Sequence, residues 1–138
     1  MVDTSEMELI ESKMLDAGIP VEALMEKVGQ GMADWFLENS SLLEDGVLVL
    51  VGPGHNGGDG LVVARELHLS GFDVQIWCPF RIKRSLTKTH LDYADFLGIP
   101  QIQHSPDASN SRLWIEALWG LGQSRPLPEF VAHLFTQR

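Results

Sequence analysis

The stretch "GVLVLVGPGHNGGDGLVVARELHLSGFDVQIWC", residues 46–78, carries the reading that sets the fold class. It opens on "GVLVLV" (46–51), with five aliphatic residues in a row, as expected of a strand covered on both faces of a parallel sheet. Five glycines then crowd into the nine residues 52–60, around His55, Asn56 and Asp59. "GLVVARELHLSG" (60–71) follows with helical patterning and a glycine stop at Gly71. "DVQIWC" (73–78) reads as a second strand. Strand, helix and strand in that order predict a right-handed crossover between parallel strands.

Working outward, "TSEMELIESKMLDAG" (4–18) predicts a first helix, with Ser5 and Glu8 as a capping box and Gly18 as its stop. Pro20 suits the start of a second helix, in which Leu24, Val28, Met32 and Trp35 form an apolar stripe with Met25 and Phe36 alongside. Gly29 and Gly31 weaken that helix by propensity, so both are expected to pack closely against a neighbouring backbone. Downstream, "SLTKTHLDYADFLG" (85–98) reads as a helix with Ser85 as N-cap and Gly98 as stop, and "RLWIEALW" (112–119) as a third strand. A loop, "GLGQSRPLP" (120–128), leads into a short helical piece, "EFVAHLFTQR". The expected architecture is α/β: a three-layer α/β/α Rossmann-like fold with a mainly parallel sheet, preceded by two N-terminal helices, in a single domain over 1–138. Ligands of such sheets bind beyond the C-terminal ends of the strands, which here means after Val51 and after Trp119.

Composition narrows the function classes. The 138 residues carry a formal charge of −9, which works against binding a nucleic-acid backbone. The one basic run, "RIKR" (81–84), reads as a solvated loop or helix start. No apolar run approaches the roughly 20 residues of a membrane span, and the N-terminus is acidic and polar, so a cytoplasmic protein with no membrane partner is expected. A single cysteine, Cys78, leaves no disulfide framework and no Cys-rich zinc site, and reads as a small buried hydrophobe. His68, His90, His104 and His133 show no ligand spacing.

"GPGHNG" satisfies G-x-G-x-x-G between a strand and a helix, a pattern that lets backbone approach a phosphate at a helix N-terminus. The ordinary dinucleotide reading also needs an acidic residue after the second strand to hold a ribose hydroxyl, and this chain has Trp77, Cys78, Pro79 and Phe80 there. No Gly-Lys-Ser/Thr follows, so a Walker A loop is excluded. The spacing alone leaves a flavin or phosphosugar binder open. Asn56 and Asp59 are the sharper signal, because an amide oxygen and a carboxylate sit beside a positive helix end. Their bland reading is a left-handed turn at Asn56 and a helix cap at Asp59.

Three ordered motifs carry a family resemblance. "GPGHNGGDGLVVARELHLSGFDV" resembles the G-x-G-N-N-G-G-D-G-L-V-x-A-R-x-L pattern of the NAD(P)HX epimerase family, the YjeF N-terminal domain. "GIPVEALMEKVGQGMA" resembles its L-M-E-x-A-G helix, and "IEALWGLGQSRPL" its D-A-L-F-G-x-G-x-x-R-P-L loop. The resemblance spans most of residues 4–128. It implies an isomerase that interconverts the R and S forms of the hydrated cofactors NADHX and NADPHX, which are substrates there, so that a partner NAD(P)HX dehydratase completes their repair. It implies a substrate site lined by His55, Asn56, Gly57, Gly58 and Asp59, with Gly120, Leu121, Gly122, Gln123, Ser124, Arg125 and Pro126 as the second wall. It implies potassium (K+) held by Asn56 and by Glu116, which stands where the family has Asp, and a homodimer. His55 departs from the family's commoner Asn.

The family's V-x-x-D-x-P-S-G-like motif, which supplies a catalytic Asp candidate and a further potassium ligand, does not occur in the 138 residues. Asp59 and Glu116 are the remaining acid/base candidates, neither with a matching catalytic role, so the catalytic residue is unassigned. Two expectations follow. One is an epimerase of which this chain is a C-terminally shortened part. The other is a shortened paralogue that serves as a non-catalytic nucleotide-binding or dimerisation scaffold.

Overall fold

The computed structural model describes residue 18, residues 20–82, residues 86–118 and residues 134, 136 and 137. Helix α1 runs Val21–Glu38 and is followed by a 3₁₀ turn, Ser40–Leu43. Strand β1 is Val47–Val51, helix α2 His55–Leu69, strand β2 Val74–Trp77, helix α3 Leu86–Phe96 and strand β3 Leu113–Ala117. The expected first helix, with its Ser5–Glu8 capping box, and the expected Ser85 cap lie outside the described residues.

β1 is the middle strand. All pairings are parallel and the order is β2-β1-β3, with Val49 opposite both Ile76 and Ile115. Every residue of β1 is fully buried, as the unbroken aliphatic run predicts. Val47, Val49 and Val51 share one core with Leu61, Val63 and Leu67 of α2, Phe36 of α1 and Ala94 of α3. Leu48 and Leu50 face the other way, into a second cluster with Trp77, Leu118 and Leu134, against which Ile102 and Trp114 pack. Leu134, itself helical, closes this second cluster from the C-terminal end of the described residues. Among the described residues no helix is long and apolar enough to cross a membrane.

The connections explain the strand order. α2 carries the chain from β1 to β2, and α3 carries it one step further out, where Gln101 makes a single parallel bridge to Ile76. The chain then crosses without a helix and returns as β3 on the far side of β1. The direction of winding therefore reverses between β1 and β3, and such a reversal opens a crevice at the C-terminal strand ends. α2 and α3 end where glycine allows it. Gly71 and Gly98 adopt left-handed φ of 94° and 83°, and Phe72 and Ile99 donate back to Leu67 and Ala94.

Two expectations change. α2 begins at His55, five residues before the predicted start, so "HNGGDG" is helix and not loop. Close packing holds for Gly29, where a Cβ would strike the Val62 side chain, but Gly31 is exposed with nothing near its missing side chain.

Candidate functional site

The switch point between β1 and β3 is built from close backbone approach. The Gly52 N–H donates to the Ala117 carbonyl at 2.9 Å, and a Cβ on Gly52 would strike the Leu118 backbone. A Cβ on Gly57 would strike the Gly52 carbonyl, one on Gly58 would lie 2.5 Å from the Met25 sulfur, and one on Gly60 would lie 2.5 Å from Ala117 Cβ. The glycines serve proximity. None of them has a left-handed φ, so what glycine supplies here is close contact and not a special turn conformation. Propensity, which disfavours glycine in a helix by about 1 kcal/mol each, is overridden because α2 packs tightly on β1, β3 and α1 from its first turn.

That packing places the side chains. His55 is exposed at the mouth, Asn56 half-buried in the first turn, and Asp59 is buried at 6% exposure. Gly54 is the N-cap residue and has no side chain to offer, and Asp59 is the fifth residue of the helix, not its cap position. Nor does Asn56 take a left-handed turn, since it sits inside α2. The Gly54 carbonyl accepts from Gly57 N–H at 3.1 Å, Gly58 N–H at 3.4 Å and Thr87 Oγ1 at 2.9 Å. Thr87 is fully buried, on α3, and no sequence signal singled it out.

Glu116 is exposed near the end of β3, and its Oε1 accepts from Leu118 N–H at 2.6 Å, which folds the carboxylate toward the strand's C-terminal end. It alternates with Ile115 and Ala117, which face α2, so Glu116 lies on the face of the sheet opposite the helix that carries Asn56. Gly120 to Pro126, including Arg125, lie outside the described residues, as do Trp119 and His133. Among the described residues no group of three or more His, Cys, Asp or Glu is placed to hold a metal.

Behind the site, Arg65 of α2 grips Glu26 of α1 with two hydrogen bonds of 2.7 Å and also reaches Glu66 at 2.8 Å. The Arg65 hydrogen bond holds the Glu26 carboxyl below its usual range, and the same contact raises the guanidinium. His90 of α3 lies 4.0 Å from Glu26, and burial lowers its imidazole, against a weaker pull from Glu26. Cys78 is half-buried, its thiol pushed up by burial and directed at the Phe80 carbonyl, which fits a packing role.

Comparison with known proteins agrees with this geometry. The family described as YjeF-related protein N-terminus matches residues 21–137. The bifunctional NAD(P)H-hydrate repair enzyme Nnr of Thermosynechococcus vestitus is 42% identical over 96% of this chain and 26% of its own length. The NAD(P)H-hydrate epimerase of Lentilactobacillus buchneri is 36% identical over 86% of this chain and 56% of its own. The crystal structure of yeast ynu0 superposes with a TM-score of 0.75 at 27% identity, covering 99% of this chain and 64% of that one. The chain thus spans about a quarter of the bifunctional relative, and little more than half of the single-function one. A match over residues 21–137 makes the chain a member of the YjeF-related N-terminal family.

Proposed function

We propose that this domain binds hydrated nicotinamide dinucleotides, NADHX and NADPHX, and serves their R/S interconversion in cofactor repair alongside a dehydratase. The observation that carries this reading is the first turn of α2 at the β1/β3 switch point. There a glycine-packed backbone and a buried Asp59 stand at a helix N-terminus, which favours a phosphate. Relatives named as NAD(P)H-hydrate epimerase and repair enzyme support it. Inverting a hydroxyl-bearing centre needs a titrating group within reach of the proton that moves. Asp59 and Glu116 are the described carboxylates at this edge, and the acid/base role stays unassigned between them.

Potassium fits the donor chemistry. The amide oxygen of Asn56 and the carboxylate of Glu116 are hard oxygen ligands, and the described residues offer no His/Cys cluster of the kind a transition metal takes. These two residues would hold the ion, which would supply fixed positive charge beside the substrate phosphates.

The test follows R/S relaxation of NADPHX with stoichiometric protein, in potassium and in sodium. Faster relaxation in potassium is expected. Relaxation no faster than without protein overturns the catalytic part. A second reading, a nucleotide-binding or dimerisation scaffold, is favoured by Tyr93 and Phe96, whose rings stack at 6.1 Å on the surface of α3, with Phe96 82% exposed. Calorimetry with NADP+ and sedimentation separate it from the first. Dimerisation without turnover selects the scaffold.

A further inference from the structure

The shortest hydrogen bond to the Gly54 carbonyl comes from outside helix α2. Thr87 Oγ1 donates at 2.9 Å, whereas the helix's own i→i−4 bond from Gly58 is 3.4 Å and the tighter bond from Gly57 is 3.1 Å. A threonine within a helix ordinarily turns its hydroxyl onto the carbonyl four residues back in the same helix. Thr87 stands at the N-terminal end of α3 as described, and its hydroxyl instead bonds 33 residues up the chain. Thr87 and Asp59 are the two buried polar or charged residues among the described residues. The hydroxyl also lies 3.1 Å from where a Cβ on Gly58 would be, so it fills the space that glycine leaves.

This turn needs outside support. Gly57, Gly58 and Gly60 weaken it by propensity, and its N-cap residue, Gly54, has no side chain with which to cap it. A cap would fix the turn by occupying one of its N–H groups. A bond to the Gly54 carbonyl fixes the same turn and occupies none of them. That is the arrangement an anion-binding helix start requires.

We propose that Thr87 is a positioning residue for nucleotide binding: through the Gly54 carbonyl, α3 sets the place of the first turn of α2. This rests on the reading of that turn as the phosphate site. The test compares Thr87→Val, which keeps the shape and loses the donor, with Thr87→Ser, which keeps the donor, in the full 138-residue chain. Hydrogen exchange needs no ligand. In Thr87→Val the amides of Gly57 and Gly58, which bond the Gly54 carbonyl, are expected to exchange about tenfold faster while β1 is unchanged. Calorimetry with NADP+ is expected to show binding weakened about fivefold in Thr87→Val and within about twofold of the parent in Thr87→Ser. A purely structural threonine would lower thermal stability and leave the affinity of the folded protein unchanged, and that result overturns the proposal. So does unaltered exchange at Gly57 and Gly58. If the parent itself binds no NADP+, the nucleotide reading of the site fails, and the exchange experiment still decides whether Thr87 sets the turn.

Discussion

Two glycines two residues apart on α1 meet opposite surroundings. A Cβ on Gly29 would collide with Val62, a β-branched residue held to one rotamer in a helix, with the Asp59 carbonyl 3.3 Å behind. Gly31 faces open space. Gly29→Ala is therefore expected to lose about 1–3 kcal/mol through overpacking. Gly31→Ala should gain roughly 0.5–1 kcal/mol by helix propensity and a less flexible unfolded chain. Urea unfolding of the two variants checks both signs, and equal shifts would contradict the assigned contacts. The sequence alone treats these residues alike, because propensity sees residue type and a local window only. What separates them is which face of α1 meets α2. The same limit hid Thr87, whose partner lies 33 residues away.

The helices are tied to one another by charge as well as packing. Arg65 joins α1 to α2 through a planar two-point contact with Glu26, and lysine cannot reproduce that geometry. Arg65→Lys is expected to cost about 1 kcal/mol, a modest figure because Glu26 stays partly hydrated. A double-mutant cycle with Glu26→Gln should return a coupling of similar size. α3 joins through His90, whose burial lowers its imidazole from an ordinary value of 6.5. As pH falls, the unfolded chain then takes up the proton first. Stability from neutral His90 is complete above about 6.5 and drains away as pH falls toward the depressed folded value. Glu26, depressed by Arg65, adds its own loss only lower, below its ordinary 4.5. Melting temperature between pH 7.5 and 5.5 is expected to fall more steeply for the parent than for His90→Gln, and parallel slopes would remove His90 from the account. The elements themselves were largely legible. β1 falls one residue inside the predicted run, and the described part of α3 lies within its own. The start of α2 was not, because five glycines read as a loop until the surfaces that press on them are known.

At the scale of the whole chain, alternation of strand and helix predicts a parallel sheet, but the strand order depends on the helix-free return to β3, which no local pattern marks. That return brings the ends of β1 and β3 together and concentrates the candidate site at one edge of an acidic body. The chain carries −9, while the proposed ligands are anions. Two fields then oppose each other. The net charge repels an approaching dinucleotide over long range, and the start of α2 attracts it over a few ångströms. Screening separates them by distance. The Debye length is about 30 Å at 0.01 M salt and about 8 Å at 0.15 M. At low salt the ligand meets the whole charge, and at physiological salt mainly the mouth of the site. Association of NADP+ measured by stopped flow should therefore speed up with salt, by about two- to fivefold across that range. Basic nucleotide binders slope the other way. A rate that falls with salt would mean that positive charge around the mouth outweighs the rest of the chain.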